Sequence, residues 1–300
     1  MEAAMEKFQQ RTDLALEARE MALAGKAGEI DGVIYEEIEE RGVKYQKMTV
    51  KDENGQKLIG KPIGTYFTAE IASVLRRESE TFGDTVAAIS ELIKQVIANN
   101  NGDGCTLVVG LGNRDITPDG IGPRCAESVL VTRHLKEHAP EDFKFLNPVA
   151  VISPGVLGTS GIESADYIKW VCDSLRPKQI LVIDALAAKN LDRLCRTVQI
   201  TDTGITPGSG VGNSRSAINS QVMGVPVVAI GVPTVVDIRS LLADIGNEKL
   251  PDSIANSTEM IVTPRNIDSE VVCAGRVVAY AINMALHDGL CVEDIDMMVG

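Results

Sequence analysis

CTLVVGLGNRDITPDGIG, residues 105–122, decides the fold. It opens on an apolar run without alternation, as in a strand buried on both faces, and its glycine-rich turn leads straight into a helical pattern, GPRCAESVLVTRHLKEH at 122–138. The same grammar recurs on either side. TVAAISELIKQVIANN (85–100) reads as the preceding helix, and VAVISPG (149–155), QILVIDAL (179–186) and PVVAIGVPTVV (226–236) as further apolar strands. SADYIKWVCDSLRP (164–177) and VVCAGRVVAYAINMAL (271–286) read as helices between and after them. Short apolar strands alternating with helices predict an α/β fold, a mostly parallel sheet covered by helices on both faces.

Upstream the pattern differs. LALEAREMALAG (14–25) favours helix, with Thr12 or Asp13 as N-cap and Gly25 as stop. From about 32 to 67, β-branched residues among charges predict a half-exposed antiparallel hairpin region, with Asn54-Gly55 as its turn.

The 300 residues are 44% hydrophobic but only 4% aromatic, with 27 glycines, so the core is aliphatic and packed closely against backbone. One large domain is the expectation. A formal charge of -13 opposes direct nucleic-acid binding and suits a basic protein partner. Six scattered cysteines, without a C-x-x-C pair, read as reduced thiols. MEAAMEKFQQ lacks the apolar region of a signal peptide, and no run reaches membrane-spanning length, so a cytoplasmic location away from membranes is expected.

Open α/β sheets place their sites beyond the carboxyl ends of the strands. There the loops are rich in glycine and punctuated by single acids. The first carries Gly110 and Gly112, but Asp115 stands where a dinucleotide fingerprint needs glycine, and no phosphate loop of the P-loop type occurs. Asp119, between Pro118 and Gly120, could be a turn former; Asp184 ends a buried strand, where a carboxylate needs a partner or a purpose. Together they form a candidate acid/base pair. Two adjacent carboxylates cannot both ionise cheaply, so one stays protonated and the other acts as base, the division that peptide hydrolysis requires. Backbone N–H groups around Gly110, Gly112, Asn113, Gly155, Gly158, Gly208 and Gly210 are candidate contacts for substrate and oxyanion.

Asp202-Thr203-Gly204 repeats the tripeptide of pepsin-like proteases, but those enzymes are β-rich and need two copies; Asp202 is kept as a possible third acid. His134, Glu137 and His138 spell H-x-x-E-H, an inverted zinc-peptidase motif without an evident third ligand, so no metal or other cofactor is expected. No G-x-S-x-G elbow accompanies Ser153, Ser160 or Ser209.

GLGNRDITPDGIGP, VTRHL, SPGVLGTSGIE, VIDALAAK, ITDTGITPGSGVGN and GVPVVAIGVPTVVD, in this order, resemble the spore germination proteases, and the resemblance runs from RTDLALEA (11–18) to the closing helix. More distantly, G-L-G-N followed by D-G-I-G and a strand-end aspartate resembles the hydrogenase maturation proteases, whose sheet is covered by helices on both sides. The first resemblance implies a metal-independent endopeptidase that degrades small acid-soluble proteins coating spore DNA, in the spore interior, and is made as a tetrameric zymogen. It places the catalytic aspartates on Asp119 and Asp184. It also implies a propeptide, residues 1–13, cut off a protease domain, 14–300, between Asp13 and Leu14, because DLALE resembles the sites these enzymes cut. The stretch between Asp237 and 261 is shorter than in longer members. A metallopeptidase akin to the hydrogenase maturation enzymes, and an inert peptide-binding module, are the competing readings.

Overall fold

The computed structural model describes residues 11–24, 28–75, 81–97, 104–238, 240–241 and 260–299. The expected stop at Gly25, most of the shortened stretch at 238–260 and residues 1–10 of the expected propeptide lie outside them.

A hairpin begins the sheet, β1 (Val33–Glu40) paired antiparallel with β2 (Val43–Val50). It turns at Arg41 and Gly42, both with positive φ, which matches the twist of a tight two-residue turn. Asn54-Gly55 is therefore not the hairpin turn: it lies in α2 (Glu53–Ile59), where the Asp52 carboxylate caps the Gly55 N–H at 2.9 Å. Gly55 is needed there because a Cβ would overlap the Gly32 carbonyl. Helix α1 (Ala15–Ala22) likewise departs from expectation: its N-cap is Leu14, without a side-chain cap, the Thr12 hydroxyl accepting the Leu14 N–H itself and the Asp13 carboxylate bonding Ala187 and Ser209.

The nine-stranded sheet runs β1-β2-β3-β7-β8-β6-β4-β5, with β9 (Ile261–Val262) paired on β8. Its α/β half is parallel as expected: β8 (Val227–Asp237), β6 (Gln179–Ala188), β4 (Thr106–Gly110) and β5 (Val149–Ile152). The remaining pairings are antiparallel, so the sheet as a whole is mixed. For β7 (Thr197–Thr201) the reason is connection length: β6 reaches it through residues 189–196, too short for the dozen or more residues of a parallel crossover, while β2 reaches β3 (Gly64–Glu70) through α2.

Period-two alternation sorts the central strands onto two cores. Val108, Leu181 and Ile183 face α4 (Phe82–Val96), α5 (Ile121–Ala126) and the long α10 (Ile267–Leu286). Leu107, Val109, Ile180 and Val182 face α8 (Ser164–Leu175), with Met223 of α9 (Ser220–Met223). By length and composition α10 could cross a membrane, contrary to the sequence reading, but two thirds of its apolar window is buried inside the fold, as in a core helix.

The helix expected over 122–138 is two: α5 and α6 (Arg133–His138). Between them Asn283 takes over the backbone bonds, accepting the Leu130 N–H at 2.9 Å and donating to the Ser128 carbonyl at 2.9 Å. All six cysteines are free, Cys291 alone being exposed.

Candidate active site

β6 outruns its neighbour. β4 ends at Gly110, paired with Ile183, and the Leu111 N–H closes onto the Ile183 carbonyl at 2.8 Å, leaving Asp184 to Ala188 to run on. Two glycines let α5 sit directly on these strand ends. A Cβ on Gly122 would overlap the carbonyls of Leu111 and Ile183, and one on Gly110 would overlap the Gly122 carbonyl. That close seat brings the turn Thr117–Asp119, which precedes α5, to the Asp184 end of β6. Gly112, at φ 110°, folds the loop so closely under Asp119 that any side chain would strike the Asp119 carbonyl. Asp119 accepts the Asn113 N–H at 2.7 Å.

Asp119 and Asp184 line one cleft of about 460 Å³, together with Gly112, Gly158 and Gly208. Asp184 is almost wholly buried, and burial holds its carboxyl well above the usual range; the Asp119 charge adds to this, the Ala185 N–H at 2.9 Å opposes it, and Asp13 adds again. Asp119 is raised too, by burial, with the Asn113 bond pulling the other way. Both carboxyls are therefore raised, Asp184 further than Asp119, an ordering that allows Asp184 to hold a proton while Asp119 gives its own up.

Besides Glu163, which pairs with Arg215 at 3.6 Å, the carboxylate that completes this cleft is that of Asp13. Its N–H donates to the Ala187 carbonyl at 2.9 Å, while its carboxylate accepts the Ala187 N–H at 2.8 Å and the Ser209 hydroxyl at 2.6 Å. Gly210 admits it, since a Cβ there would overlap the Asp13 carboxylate, and the Arg11 guanidinium rests equally close on Gly212. Beyond Asp13 the chain goes inside. Leu14 is fully buried against Leu186, Ala188, Leu194 and Val236, a burial worth about 1.5–3 kcal/mol. Ala15 packs on Met48, Val50, Ile59 and Tyr66. Glu17, also buried, accepts the N–H groups of Lys189 at 2.6 Å and Asn190 at 2.9 Å, bonds Thr12 and pairs with Arg193 at 3.1 Å.

Two residues that the sequence reading missed hold the peptide unit after Asp13. Lys61 Nζ donates to the carbonyls of Asp13 at 2.9 Å and Thr12 at 3.1 Å, and Gln199 donates to the Asp13 carbonyl at 3.3 Å while accepting the Ala15 N–H at 2.6 Å. Burial lowers the Lys61 ammonium below lysine's ordinary value, against the pull of Asp13 and Glu17. Neither is marked in the sequence: Gln199, buried in the strand TVQIT, reads there as an ordinary outward-facing polar residue, and nothing local marks Lys61.

Other expected residues lie apart. Asp202 accepts the Thr65 N–H at 2.8 Å, bridging the ends of β7 and β3, and lines neither this cleft nor the adjoining one that holds Lys61. Gly155 makes a positive-φ turn beside α7 (Leu157–Ser160). In α6, Glu137 pairs with Arg133 at 2.6 Å and His138 bonds the His134 carbonyl at 2.8 Å. Among the described residues no group of His, Cys, Asp and Glu is arranged to hold a metal.

The family profile described as germination protease matches residues 12–248. The germination protease of Caldanaerobacter subterraneus subsp. tengcongensis is 40% identical, over 96% of this chain and 98% of its own. That of Priestia megaterium is 42% identical over 80% of this chain and 67% of its own, and that of Clostridium tetani 38% identical over 95% and 98%. Among solved structures, the [NiFe] hydrogenase maturation protease HycI from Thermococcus kodakarensis KOD1 aligns with a TM-score of 0.37 at 16% identity, over 65% of this chain and 98% of that one.

Proposed function

Since the chain belongs to the germination protease family, we propose that it is the zymogen of an endopeptidase that uses Asp119 and Asp184, and that it activates by cutting itself between Asp13 and Leu14. One observation carries this reading: Asp13 lies extended along the end of β6 in the cleft that both aspartates line. Ionised Asp119 draws a proton from water as it attacks the scissile carbonyl, and protonated Asp184 supplies the proton to the leaving nitrogen. The segment 11–17 occupies the path that a substrate peptide would take, so the uncut chain masks its own site. Its substrates, following the family resemblance, are the small acid-soluble spore proteins, and it works in the spore interior. The reaction requires no metal.

On this reading residues 1–13 are the propeptide and 14–300 the enzyme. The assembly is a tetramer. The hairpin region 32–67 is a candidate contact between copies, although the exposed Glu36, Glu37, Glu39 and Glu40 of β1 disfavour pairing of like strand edges. Light scattering at micromolar concentration gives a tetramer mass if this is right and a monomer mass if it is not.

Mild acid incubation followed by N-terminal sequencing tests the central claim. A new terminus at Leu14 in the wild type, absent from Asp119→Asn, supports self-processing. A terminus elsewhere, or full activity of the uncut chain, refutes it.

A further inference from the structure

We propose that Lys61 and Gln199 form the oxyanion site of this enzyme, holding the carbonyl oxygen of the bond that is cut. The inference rests on the reading of Asp13–Leu14 as the processed bond. The sequence suggested the backbone of the glycine loops for this task. Among the described residues, however, the donors at the Asp13 carbonyl are two side chains, Lys61 Nζ at 2.9 Å and Gln199 Nε2 at 3.3 Å.

Both donors are fixed in place. Lys61 follows Gly60, the left-handed C-cap of α2, and precedes Pro62, whose carbonyl takes the Tyr66 hydroxyl at 2.8 Å. Gln199 sits in the middle of β7, in register with Gly231 of β8, which is in turn in register with Asp184 of β6. Gln199 and Asp184 therefore stand level on one face of the sheet, two strands and so about 10 Å apart. Gln199 also accepts the Ala15 N–H at 2.6 Å through its Oε1, so one side-chain amide spans the bond from the carbonyl before it to the second N–H after it.

The bonding of Lys61 points to chemistry rather than charge balance. A half-buried ammonium that only needed neutralising would donate to a carboxylate, and Asp13 and Glu17 are both close enough to act on it. It donates instead to two backbone carbonyls, one of them that of the processed bond. During hydrolysis a water oxygen bonds to the Asp13 carbonyl carbon and gives one proton to Asp119. The carbonyl electron pair moves onto oxygen, where the Lys61 and Gln199 N–H groups meet the new negative charge. Collapse restores the double bond and breaks the C–N bond, and the Leu14 nitrogen leaves with a proton from Asp184.

The test uses the full chain. Wild type, Lys61→Met, Lys61→Gln and Lys61→Arg are incubated in mild acid, and appearance of the Leu14 terminus is followed by intact mass, with thermal melting as the check on folding. Loss of one oxyanion donor lowers a rate by roughly 10²–10³-fold. We expect that loss in Lys61→Met, a smaller one in Lys61→Gln and partial recovery in Lys61→Arg. After processing, a peptide copying residues 8–18 separates transition-state from anchoring roles: kcat falls with KM little changed if Lys61 holds the oxyanion. Processing of folded Lys61→Met at the wild-type rate or faster, or an effect on KM alone, overturns the proposal. If Lys61→Met does not fold, Lys61→Gln is judged by the same criteria. A wild type that never yields the Leu14 terminus removes the underlying reading, and this inference with it.

Discussion

Asp13 grips Ala187 through the two peptide units that flank it, giving its N–H to the Ala187 carbonyl at 2.9 Å and taking the Ala187 N–H on its carboxylate at 2.8 Å. This is strand addition in which a side-chain carboxylate replaces one backbone carbonyl. Ala187 is available because β4 ends at Gly110, opposite Ile183, and leaves that edge of β6 open from Asp184 onward, although Ala187 still pairs with Val235 of β8 on the other edge.

Asp119→Asn and Asp184→Asn should each fold and each lose at least about 100-fold in turnover, with the double variant little worse than either single one. Steady-state cleavage of a spore-protein peptide checks this. Asp202→Asn should keep near-wild-type activity, since an amide oxygen can still accept the Thr65 N–H; Asp202→Ala should lose about 1 kcal/mol of stability without losing catalysis.

Asp184 also makes stability depend on pH. Its folded pKa lies above the ordinary value of 3.8, so between those two values the native chain binds more protons than the unfolded one, and stability falls as pH rises through that window. The penalty persists at neutral pH. Asp184→Asn should therefore be more stable than wild type at pH 7, with the difference vanishing below about pH 4. Urea unfolding at a series of pH values measures it.

His287 acts in the opposite sense. It is buried with its Nδ1 accepting the Asn147 N–H at 3.1 Å, and burial pushes its pKa down from 6.5 to about 4. Below 6.5 the unfolded chain takes up a proton that the native chain refuses, so this contribution to stability is lost as pH falls toward 4. His287→Gln should show a shallower fall in melting temperature over that interval, and a proton NMR titration should place the His287 midpoint near its lower end.

Gly210→Ala should dislodge the leading segment in the uncut chain, because the new methyl would overlap the Asp13 carboxylate and press on Ala187. Limited proteolysis should then cut around residues 11–13 far faster than in wild type. The Leu14 terminus should form slowly or not at all.

The parallel half of the fold was legible because Thr106–Gly110, Gln179–Ala188 and Val227–Asp237 carry unbroken apolar runs, with polar residues such as Asp184 few among them, and are flanked by helix signals. The antiparallel half was only partly so. TVQIT is short, and its polar Gln199 looks like an exposed residue until the segment that covers it is known. Asp119 and Asp184 could be singled out from their places after strands. Lys61 could not, since its partners are backbone carbonyls of residues 12 and 13, which carry no sequence signal. The end of the expected helix at 122–138 was hidden for a similar reason: Asn283, far along the chain, supplies the bonds that interrupt it.

Leu14 has no exposed surface, and its N–H is bonded to the Thr12 hydroxyl across the bond proposed for processing, at 3.0 Å. On the proposed reading, cleavage there replaces a neutral amide with a carboxylate at Asp13, which Lys61 and Gln199 already face, and an ammonium at Leu14, which lies among the apolar side chains of Leu186, Ala188, Leu194 and Val236. An ammonium in such a pocket must move to water, so severing the chain would draw the Leu14 end outward. Activation would then act as a ratchet: the event that creates the free site also prevents the two ends from settling back and being rejoined.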